Sequence, residues 1–436
     1  MTTDPTARRY DREFVRTFFT SPTAVEDDDS AKMLRSAARL RGMEAPDVWV
    51  PDNEDATAPS MRDQGVENVV EVVREHGADF PGEIHPRVVW HREDPATRYS
   101  GFQQMHAMAD PERGAVEHLD GFVIPEVGDV DDWKKADEFL TVVETDHGLD
   151  EGSLSMSVIV ESGEAELAMG DLREEMGKPS NNLERLFLLV DGEVDYTKDM
   201  RAMTPTGELP AWPELRHNTS RGASAAGLIA VDGPFDDIRD VEGYRDRMTV
   251  NRAKGMTGIW SLTPGQVVEA NTEPLPPESG YWLLDDGESE TELRAADGRW
   301  VYDGDALGLD GTGDGYVLRA DGREHDLDAD ELREELLART SYVPSLADIV
   351  DSMAEFEAAK AAGRGAIAMT RAATLEIDGV AVDVETDRMW DEATYQAAKT
   401  PIDLFQDVYE HRPDQHDALA DRYGSEVVER ATELGE

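Results

Sequence analysis

Two stretches of the sequence decide the fold: Val158-Ile-Val-Glu-Ser-Gly-Glu-Ala165 and Leu188-Leu-Val-Asp-Gly-Glu-Val-Asp-Tyr196. Each is a short apolar run, partly β-branched, that ends abruptly in carboxylates and glycine. Runs that are apolar on both faces are typical of strands buried in a parallel sheet. In α/β barrels, the residues that perform chemistry lie at the carboxyl ends of such strands. The two stretches therefore predict two buried strands with a site at their ends.

The acids that follow these runs include Glu161 and Asp195. We expect their carboxylates to converge on one divalent cation. An oxygen-only site in a chain with no cysteine suits a hard ion such as Mg2+. The alternative is that both residues merely begin helices, where a negative charge is mildly stabilising.

The composition indicates a folded protein adapted to salt. The chain has 436 residues, of which 39% are hydrophobic, and these are grouped into clear runs. Its formal net charge is −53, from 95 acidic and 42 basic residues, and the acids are dispersed along the chain. Such an excess keeps the whole surface hydrated, and high salt shortens the range of the self-repulsion. Nucleic acid is not an expected partner, because phosphate binding needs a basic face.

The absence of cysteine excludes disulfides, thiolate zinc sites and cysteine nucleophiles. The N-terminus, residues 1–11, is polar and lacks the apolar core of a secretory signal. No run approaches the roughly 18 apolar residues that a membrane helix needs. We therefore expect a soluble, cytoplasmic protein with no membrane partner.

Eight predicted strands alternate with segments of helical pattern. The strands are 14–20, 47–50, 83–90, 121–124, the two stretches quoted above, 227–231 and 256–262. This count and spacing predict an α/β fold of the (β/α)8 TIM-barrel type over residues 1–271. A doubly wound sheet is the competing architecture, but eight evenly spaced units favour closure.

The pattern changes after residue 271. Pro274, Pro276 and Pro277 form a stiff connector, and Asp-Gly turns at 286–287, 297–298 and 321–322 separate short alternating runs. We expect residues 272–341 to form a small β-rich insertion. Residues 342–436 are expected to form a helical C-terminal region. The helices predicted from residue 329 onward are 330–339, 345–362, 389–399, 402–410 and 414–434.

Polar residues mark the strand ends in a fixed order: Asp52, Glu54 and Asp55, then Arg87, Glu161, Asp195, Asp232 and Thr263-Pro264. This layout resembles the citrate lyase β-subunit-like (HpcH/HpaI aldolase) superfamily, magnesium-dependent barrels that act on acyl-CoA thioesters. The resemblance covers residues 14–275. It includes Asp232-Gly-Pro-Phe-Asp-Asp-Ile-Arg-Asp240 and Gly255-Met-Thr-Gly-Ile-Trp-Ser-Leu-Thr-Pro-Gly-Gln266, which are similar to the family's last two strand-end motifs.

A motif in the C-terminal part of the chain points to one group within this superfamily. Met389-Trp-Asp-Glu-Ala-Thr394 resembles the Met-Glu-Asp-x-Ala-Thr signature of malate synthases, and the whole chain is similar to the compact (isoform H) malate synthases of halophilic archaea. There are two departures. Trp390 replaces the usual acid before Asp391, and Glu126 stands where lyase relatives commonly have Lys.

The resemblance implies an acyltransferase of the glyoxylate cycle. Acetyl-CoA and glyoxylate would undergo a Claisen condensation, and hydrolysis of the thioester would give malate and CoA. Asp391 would be the general base, and Arg87 would stabilise the enolate. Mg2+ held by Glu161 and Asp195 would polarise glyoxylate. Arg87 as an ion-pair partner of the strand-two acids, and Asp391 as a helix-terminal charge, are the structural alternatives.

The resemblance also implies the binding residues. Backbone N–H groups around Gly192, Glu193 and Val194 would bind the glyoxylate carboxylate, if they open a helix. The acids Asp52, Glu54 and Asp55 would complete the substrate site, and Asp232, Pro234, Thr263 and Pro264 would lie against CoA. Lys198, Arg201, Arg216 and Arg221 are candidate partners for the CoA phosphates. Relatives are commonly trimers, so a homo-oligomer is expected.

Two other functions are compatible with the barrel. One is a lyase of the malyl-CoA or citramalyl-CoA type, which stops at or starts from the thioester. The other is a non-catalytic, salt-adapted binding subunit. The helix that begins at the Met389–Thr394 motif argues against the lyase, and binding of Mg2+ by the strand-end acids would argue against the binding subunit.

Overall fold

Eight strands in the first part of the chain form one parallel sheet. The computed structural model describes residues 14–176, 178, 183–202, 212–285, 290–296, 299–301, 307–312, 315–320 and 322–434. The eight strands are β1 (Thr17–Pro22), β2 (Val48–Asp52), β3 (Glu83–Ile84), β4 (Gly121–Ile124), β5 (Ser155–Val160), β6 (Leu186–Asp191), β7 (Ile229–Pro234) and β8 (Gly258–Ser261). Their order in the sheet is β3-β2-β1-β8-β7-β6-β5-β4.

The sheet closes on itself through the residues that follow β3. Arg87 forms parallel bridges to Asp52 on one side and to Val123 on the other. The predicted third strand, 83–90, is regular over two residues only, because Pro86 has no N–H to donate to the ladder. The bridges at Arg87 nevertheless join β2 to β4, so the predicted (β/α)8 barrel is confirmed.

Helices cover the outside of the barrel. They are α1 (Lys32–Ala37), α2 (Arg62–His76), α3 (Pro95–Met108), α4 (Val130–His147), α5 (Gly163–Ala168), α6 (Leu172–Met176), α7 (Glu193–Asp199), α8 (Trp212–Ala226), α9 (Val241–Ala253) and α10 (Pro264–Thr272). Successive side chains of each strand point alternately into the barrel and outward to the helices, so two cores form. Phe18, Val50 and Val190 belong to the inner core, and Trp49 and Leu189 to the layer between strands and helices.

The chain divides into two units, residues 1–274 with 411–415, and residues 275–410 with 416–436. The short return segment belongs to the barrel unit because Arg412 is fully buried there. Its Nη1 lies 2.5 Å from Asp47 Oδ1. Asp47 also accepts hydrogen bonds from the side chain of Arg16 at 2.8 and 3.0 Å.

The second unit contains two sheets and five helices among its described residues. Its elements are β9 (Tyr281–Asp285), β10 (Glu290–Ala296), β11 (Arg299–Val301), β12 (Gly308–Thr312), β13 (Gly315–Ala320), β14 (Arg323–Leu327), α11 (Ala329–Arg339), β15 (Thr340–Val343), α12 (Leu346–Ala361), β16 (Ile367–Ile377), β17 (Val380–Trp390), α13 (Glu392–His411), α14 (His416–Tyr423) and α15 (Ser425–Thr432). The larger sheet has the order β15-β9-β10-β11-β16-β17, and β12, β13 and β14 form the smaller antiparallel one.

Strands β16 and β17 were not predicted. They form an antiparallel hairpin of two 11-residue strands joined by Asp378-Gly379, and both turn residues have positive φ, 50° and 77°. Asp-Gly is a preferred dipeptide for such a two-residue turn, so the signal was present in the sequence. The hairpin shares a sheet with strands of the predicted insertion. Most residues of the two predicted regions, 272–341 and 342–436, thus lie in one unit, whereas residues 272–274 and 411–415 belong to the barrel unit.

Some predicted features fall outside the described residues. These are the N-terminal residues 1–11 and the turn positions 286, 287, 297, 298 and 321. Within the described part of the chain, no helix is long and apolar enough to cross a membrane.

Candidate active site

Glu161 lies directly after β5, at the carboxyl end of the barrel. Its side chain is buried, with 4% of its surface exposed. Its Oε2 accepts a hydrogen bond from the backbone N–H of Glu126 at 2.6 Å. Burial raises the pKa of Glu161 well above its usual range, and the charges of Asp195 and Glu54 raise it further, against the attraction of Arg87. The site thus holds a carboxylate whose negative charge is poorly compensated.

The turn after β6 places a second carboxylate near the first. Gly192 donates its N–H to Val160 O at 3.0 Å, which brings the turn close to the end of β5. A Cβ at position 192 would lie 2.7 Å from Glu161 Oε1, so only glycine fits there. Helix α7 then begins at Glu193, and Asp195 is in its first turn. Asp195 Oδ1 lies 3.0 Å from the exposed Nζ of Lys198.

Arg87 also lies close enough to Glu161 to act on its charge, and it is held by acids that follow β2. Its Nε and Nη2 donate to the two carboxylate oxygens of Asp52 at 2.8 and 2.5 Å. Its Nη1 lies 3.2 Å from Glu54 and 3.7 Å from Asp55. Burial alone would lower the pKa of Arg87, but Asp52 raises it above its ordinary value. Arg87 is therefore a fixed positive charge. It forms the ion pairs with Asp52, Glu54 and Asp55 that were expected if its role is structural.

These residues fit a magnesium ion by the chemistry of their donors. Glu161 and Asp195 are oxygen ligands whose charges repel each other, and a cation between them would relieve that repulsion. Within the described ranges, no group of three or more acidic or histidine side chains could hold a metal. Mg2+ is commonly bound by one or two carboxylates, with water and substrate completing its octahedron. Two carboxylates therefore suffice for Mg2+.

Glu193 and Val194, the neighbours of Gly192, do not turn their side chains towards Glu161. Glu193 is buried and its Oε1 accepts hydrogen bonds from Arg216 and, at 2.7 Å, from Arg247. Val194 is exposed. Only the backbone of this first helical turn is available for the predicted binding of a substrate carboxylate.

Asp232 lies in a buried ion network and not on an open surface. Arg216 Nε donates to its Oδ1 at 2.8 Å, Arg247 Nε donates to its Oδ2 at 2.5 Å, and Asn251 is also hydrogen-bonded to it. Burial would raise the pKa of Asp232, but Arg247 and Arg216 lower it below its usual range. Arg216, a candidate for the CoA phosphates, is therefore already paired with Asp232 and Glu193.

The remaining strand-end candidates lie at the seventh and eighth turns. Pro234 ends β7 and is partly exposed. Thr263 caps helix α10 by accepting a hydrogen bond from Gln266 N at 3.2 Å, and Pro264 is the first residue of that helix. Their described contacts are those of a helix start.

Asp391 lies in the second unit, immediately before α13. Its Oδ1 accepts hydrogen bonds from Thr394 N at 2.9 Å and Thr394 Oγ1 at 3.2 Å. This is the geometry of a helix N-cap. The Thr394 N–H lowers the pKa of Asp391 below its usual range. The predicted helix at 389–399 therefore starts at Glu392, while Met389 and Trp390 end strand β17.

The structure adds Glu126 to the residues at this edge of the barrel. Its φ is +44°, a left-handed value that is uncommon for a non-glycine residue. The sequence contained no signal for this conformation. The ion network of Arg216, Arg247 and Glu193 was also missed, because its members are far apart in the chain and carry no shared motif.

Comparison with known proteins assigns the class. Residues 27–264 match the family HpcH/HpaI aldolase/citrate lyase, and residues 282–396 match the Malate synthase H C-terminal domain. The barrel and its strand-end carboxylates agree with the first match. The chain therefore belongs to the HpcH/HpaI aldolase/citrate lyase family.

Two relatives narrow this assignment to the malate synthases. An apparent malate synthase of Haloarcula marismortui is 78% identical over 430 residues, which are 98% of this chain and 99% of the relative. A malate synthase of Haloferax volcanii is 77% identical over 431 residues, which are 99% of this chain and 100% of the relative. Similarity of this extent places the chain in the malate synthase branch of the family.

Solved structures of the Haloferax volcanii malate synthase are similar to this chain over 98% of its length. A magnesium/glyoxylate complex has a TM-score of 0.61 at 66% identity, and a pyruvate/acetyl-CoA ternary complex has a TM-score of 0.61 at 71% identity. In both cases the match covers 100% of the solved chain.

The lyase alternative has weaker support. An L-malyl-CoA/beta-methylmalyl-CoA lyase of Haloarcula marismortui is 40% identical over 270 residues, which are 60% of this chain and 76% of that protein. That similarity leaves two fifths of the chain unmatched, whereas the malate synthases match nearly all of it.

Proposed function

We propose that this chain condenses acetyl-CoA with glyoxylate and hydrolyses the resulting thioester to malate and CoA, with Mg2+ as cofactor. One observation carries the proposal. The buried Glu161 lies beside Asp195 and Arg87 at the carboxyl end of the barrel, in a chain 77% identical to the Haloferax volcanii malate synthase. Solved complexes of that relative contain magnesium and glyoxylate, or pyruvate and acetyl-CoA.

Glu161 and Asp195 would hold the magnesium ion. When bound, the ion supplies Lewis-acid polarisation of the glyoxylate aldehyde. Gly192 supports this arrangement because it leaves room for the Glu161 side chain. The backbone N–H groups of Glu193, Val194 and Asp195 would bind the carboxylate of glyoxylate.

Asp391 would take a proton from the acetyl methyl group of acetyl-CoA. That proton is very weakly acidic, so the enolate oxygen needs a positive charge where it forms. Arg87 supplies a charge that does not titrate away, and Asp52, Glu54 and Asp55 fix its guanidinium. The enolate carbon would then attack the glyoxylate aldehyde.

The CoA portion is proposed to lie along the seventh and eighth turns of the barrel, against Pro234, Thr263 and Pro264. Asp232 would fix the seventh turn through Arg247, which also lies 3.4 Å from Pro234 O. We further propose a cytoplasmic enzyme that works as a homo-oligomer. Light scattering at molar KCl tests the oligomer, and a monomeric active enzyme would contradict it.

The function is tested by thiol release from acetyl-CoA in the presence of glyoxylate, as Mg2+ is titrated at molar KCl. The wild-type enzyme should depend on Mg2+, and Glu161→Ala should lose that dependence together with activity. Arg245→Met, which removes a surface ion pair to Glu269, is the matched control and should behave as wild type. A Glu161→Ala enzyme still stimulated normally by Mg2+ would refute the ligand assignment.

A further inference from the structure

Glu126 has a strained backbone at the edge of the barrel that carries the site. It follows β4 and Pro125, and its φ of +44° lies in the left-handed region. Such strain persists only where the surrounding structure imposes it, and it concentrates at functional sites. Here the strained residue donates its N–H to Glu161 Oε2 at 2.6 Å. The unusual conformation is therefore tied directly to a proposed metal ligand.

The side chain of Glu126 faces the same space. Its Oε2 lies 3.5 Å from Nε2 of His91, and its Oε1 lies 3.9 Å from Nζ of Lys198. The side chain is 20% exposed. Glu126 thus presents a carboxylate beside the proposed metal site, in a position that water can reach.

Several other carboxylates at this edge are held more closely by Arg or Lys. The pairs are Asp52 and Glu54 with Arg87, Asp195 with Lys198, and Asp232 and Glu193 with Arg247. The contacts of Glu126 to His91 and Lys198, at 3.5 and 3.9 Å, are longer than these and similar to the 3.7 Å between Asp55 and Arg87. Glu126 is therefore a carboxylate that is held in place by its backbone, while its long ion-pair contacts and partial exposure leave room for water at its oxygens.

The proposed reaction leaves one step without a residue, the hydrolysis of malyl-CoA. We propose that Glu126 is the catalytic residue of this step, an inference that rests on the proposed function. Its carboxylate takes a proton from water as the water oxygen bonds to the thioester carbonyl carbon. The tetrahedral intermediate breaks its C–S bond, and the CoA thiolate takes the proton from Glu126. Malate and free CoA result, and Glu126 returns to its ionised form.

Glu126→Gln tests this assignment, because it keeps the backbone N–H and the side-chain shape while removing the base. The variant is given acetyl-CoA, glyoxylate and Mg2+ at molar KCl, and malyl-CoA and malate are quantified by mass spectrometry. We expect condensation to continue and the ratio of malyl-CoA to malate to rise at least about 100-fold, the usual contribution of a general base. Malyl-CoA supplied directly should be hydrolysed more slowly by the same factor.

Two further variants separate catalysis from structure. Glu126→Gly relieves the backbone strain and keeps the N–H, so it should give the same product ratio as Glu126→Gln. Glu164→Gln, at a neighbouring turn where Glu164 lies 3.4 Å from Arg92, should leave the ratio unchanged. A product ratio like that of wild type in both Glu126 variants would overturn the inference, even if overall activity falls. A wild-type enzyme that forms neither product would instead contradict the proposed function.

Discussion

Gly192 and Glu161 occupy adjoining space at the ends of β6 and β5, and a side chain at position 192 would displace that of Glu161. A Cβ at position 192 would lie 2.7 Å from Glu161 Oε1 and 2.8 Å from its Cδ. The backbone cannot retreat easily, because Gly192 N is hydrogen-bonded to Val160 O at 3.0 Å. The position of a proposed metal ligand is therefore set by the absence of a side chain on the neighbouring strand.

Gly192→Ala should weaken magnesium binding. The added methyl group must push Glu161 away from its present position, since overpacking a buried site forces its neighbours to move. Disturbed support of a metal ligand usually costs about 10–100-fold in affinity. Calorimetric titration of Mg2+ at molar KCl measures this, with Gly265→Ala as the control, since its new Cβ would meet its nearest neighbour at 3.8 Å. Equal affinities in the two variants would contradict the crowding argument.

Asp391→Asn should separate the two roles of this side chain, general base and helix N-cap. Asparagine caps helices about as well as aspartate, so the start of α13 should remain stable, whereas Asp391→Ala should cost roughly 1 kcal/mol. Both variants should lose turnover by at least about 100-fold, because neither can take the methyl proton. Binding of glyoxylate and Mg2+, measured by calorimetry, should stay nearly unchanged. Normal turnover of Asp391→Asn would remove Asp391 from the mechanism.

The barrel could be predicted from the sequence because its strands are short apolar runs ending in polar residues at regular spacing. The third strand was the exception, since Pro86 interrupts the ladder and closure depends on single bridges at Arg87. The β16–β17 hairpin could have been found from Asp378-Gly379. Burial alternates weakly along β16, whereas Val380, Val382 and Val384 alternate with other residues along β17, so the sequence signal lay in the turn and the second strand.

A site residue could be predicted only where it comes directly after a strand that the sequence itself reveals. Glu161 and Asp195 were identified from their positions after β5 and β6, and the structure places their charges within reach of each other. The strain at Glu126 was not predictable, because a positive φ at a glutamate arises from the packing around it. The pairing of Arg247 with Glu193 joins residues 54 positions apart, and no local pattern encodes it.

Glu54 should make stability depend on pH. Burial, with the nearby charges of Asp55 and Asp52, raises the pKa of Glu54 from an ordinary 4.5 to about 8. The folded protein therefore binds a proton that the unfolded chain has released, and stability falls as pH rises from about 4.5 to 8.

Glu54→Gln removes this dependence, because glutamine stays neutral. The free energy of unfolding of the metal-free wild type should fall relative to the variant by on the order of 3 kcal/mol between pH 5.5 and pH 8.5. Thermal melts at both pH values, with EDTA and molar KCl, measure the difference as a few degrees in apparent Tm. Parallel pH profiles of the two proteins would show that Glu54 ionises normally.

Arg412 should be important for the stability of the barrel unit. It is fully buried, and its guanidinium bonds Asp47 Oδ1 at 2.5 Å and Ala45 O at 3.0 Å. Arg412→Met should cost about 1–3 kcal/mol, because it removes a donor to the buried oxygens of Asp47 and Ala45, while Arg16 still pairs with Asp47. Arg245→Met removes a half-exposed pair and should cost less than about 1 kcal/mol. Denaturant unfolding at molar KCl compares them, and equal losses would refute the distinction.

The most direct test of the proposed function is the identity of the product formed from acetyl-CoA and glyoxylate with Mg2+ at molar KCl. A malate synthase must release free CoA thiol and malate in equal amounts, and both must disappear when EDTA is added. Accumulation of malyl-CoA without thiol release in the wild-type enzyme, or the absence of both products, would contradict the account.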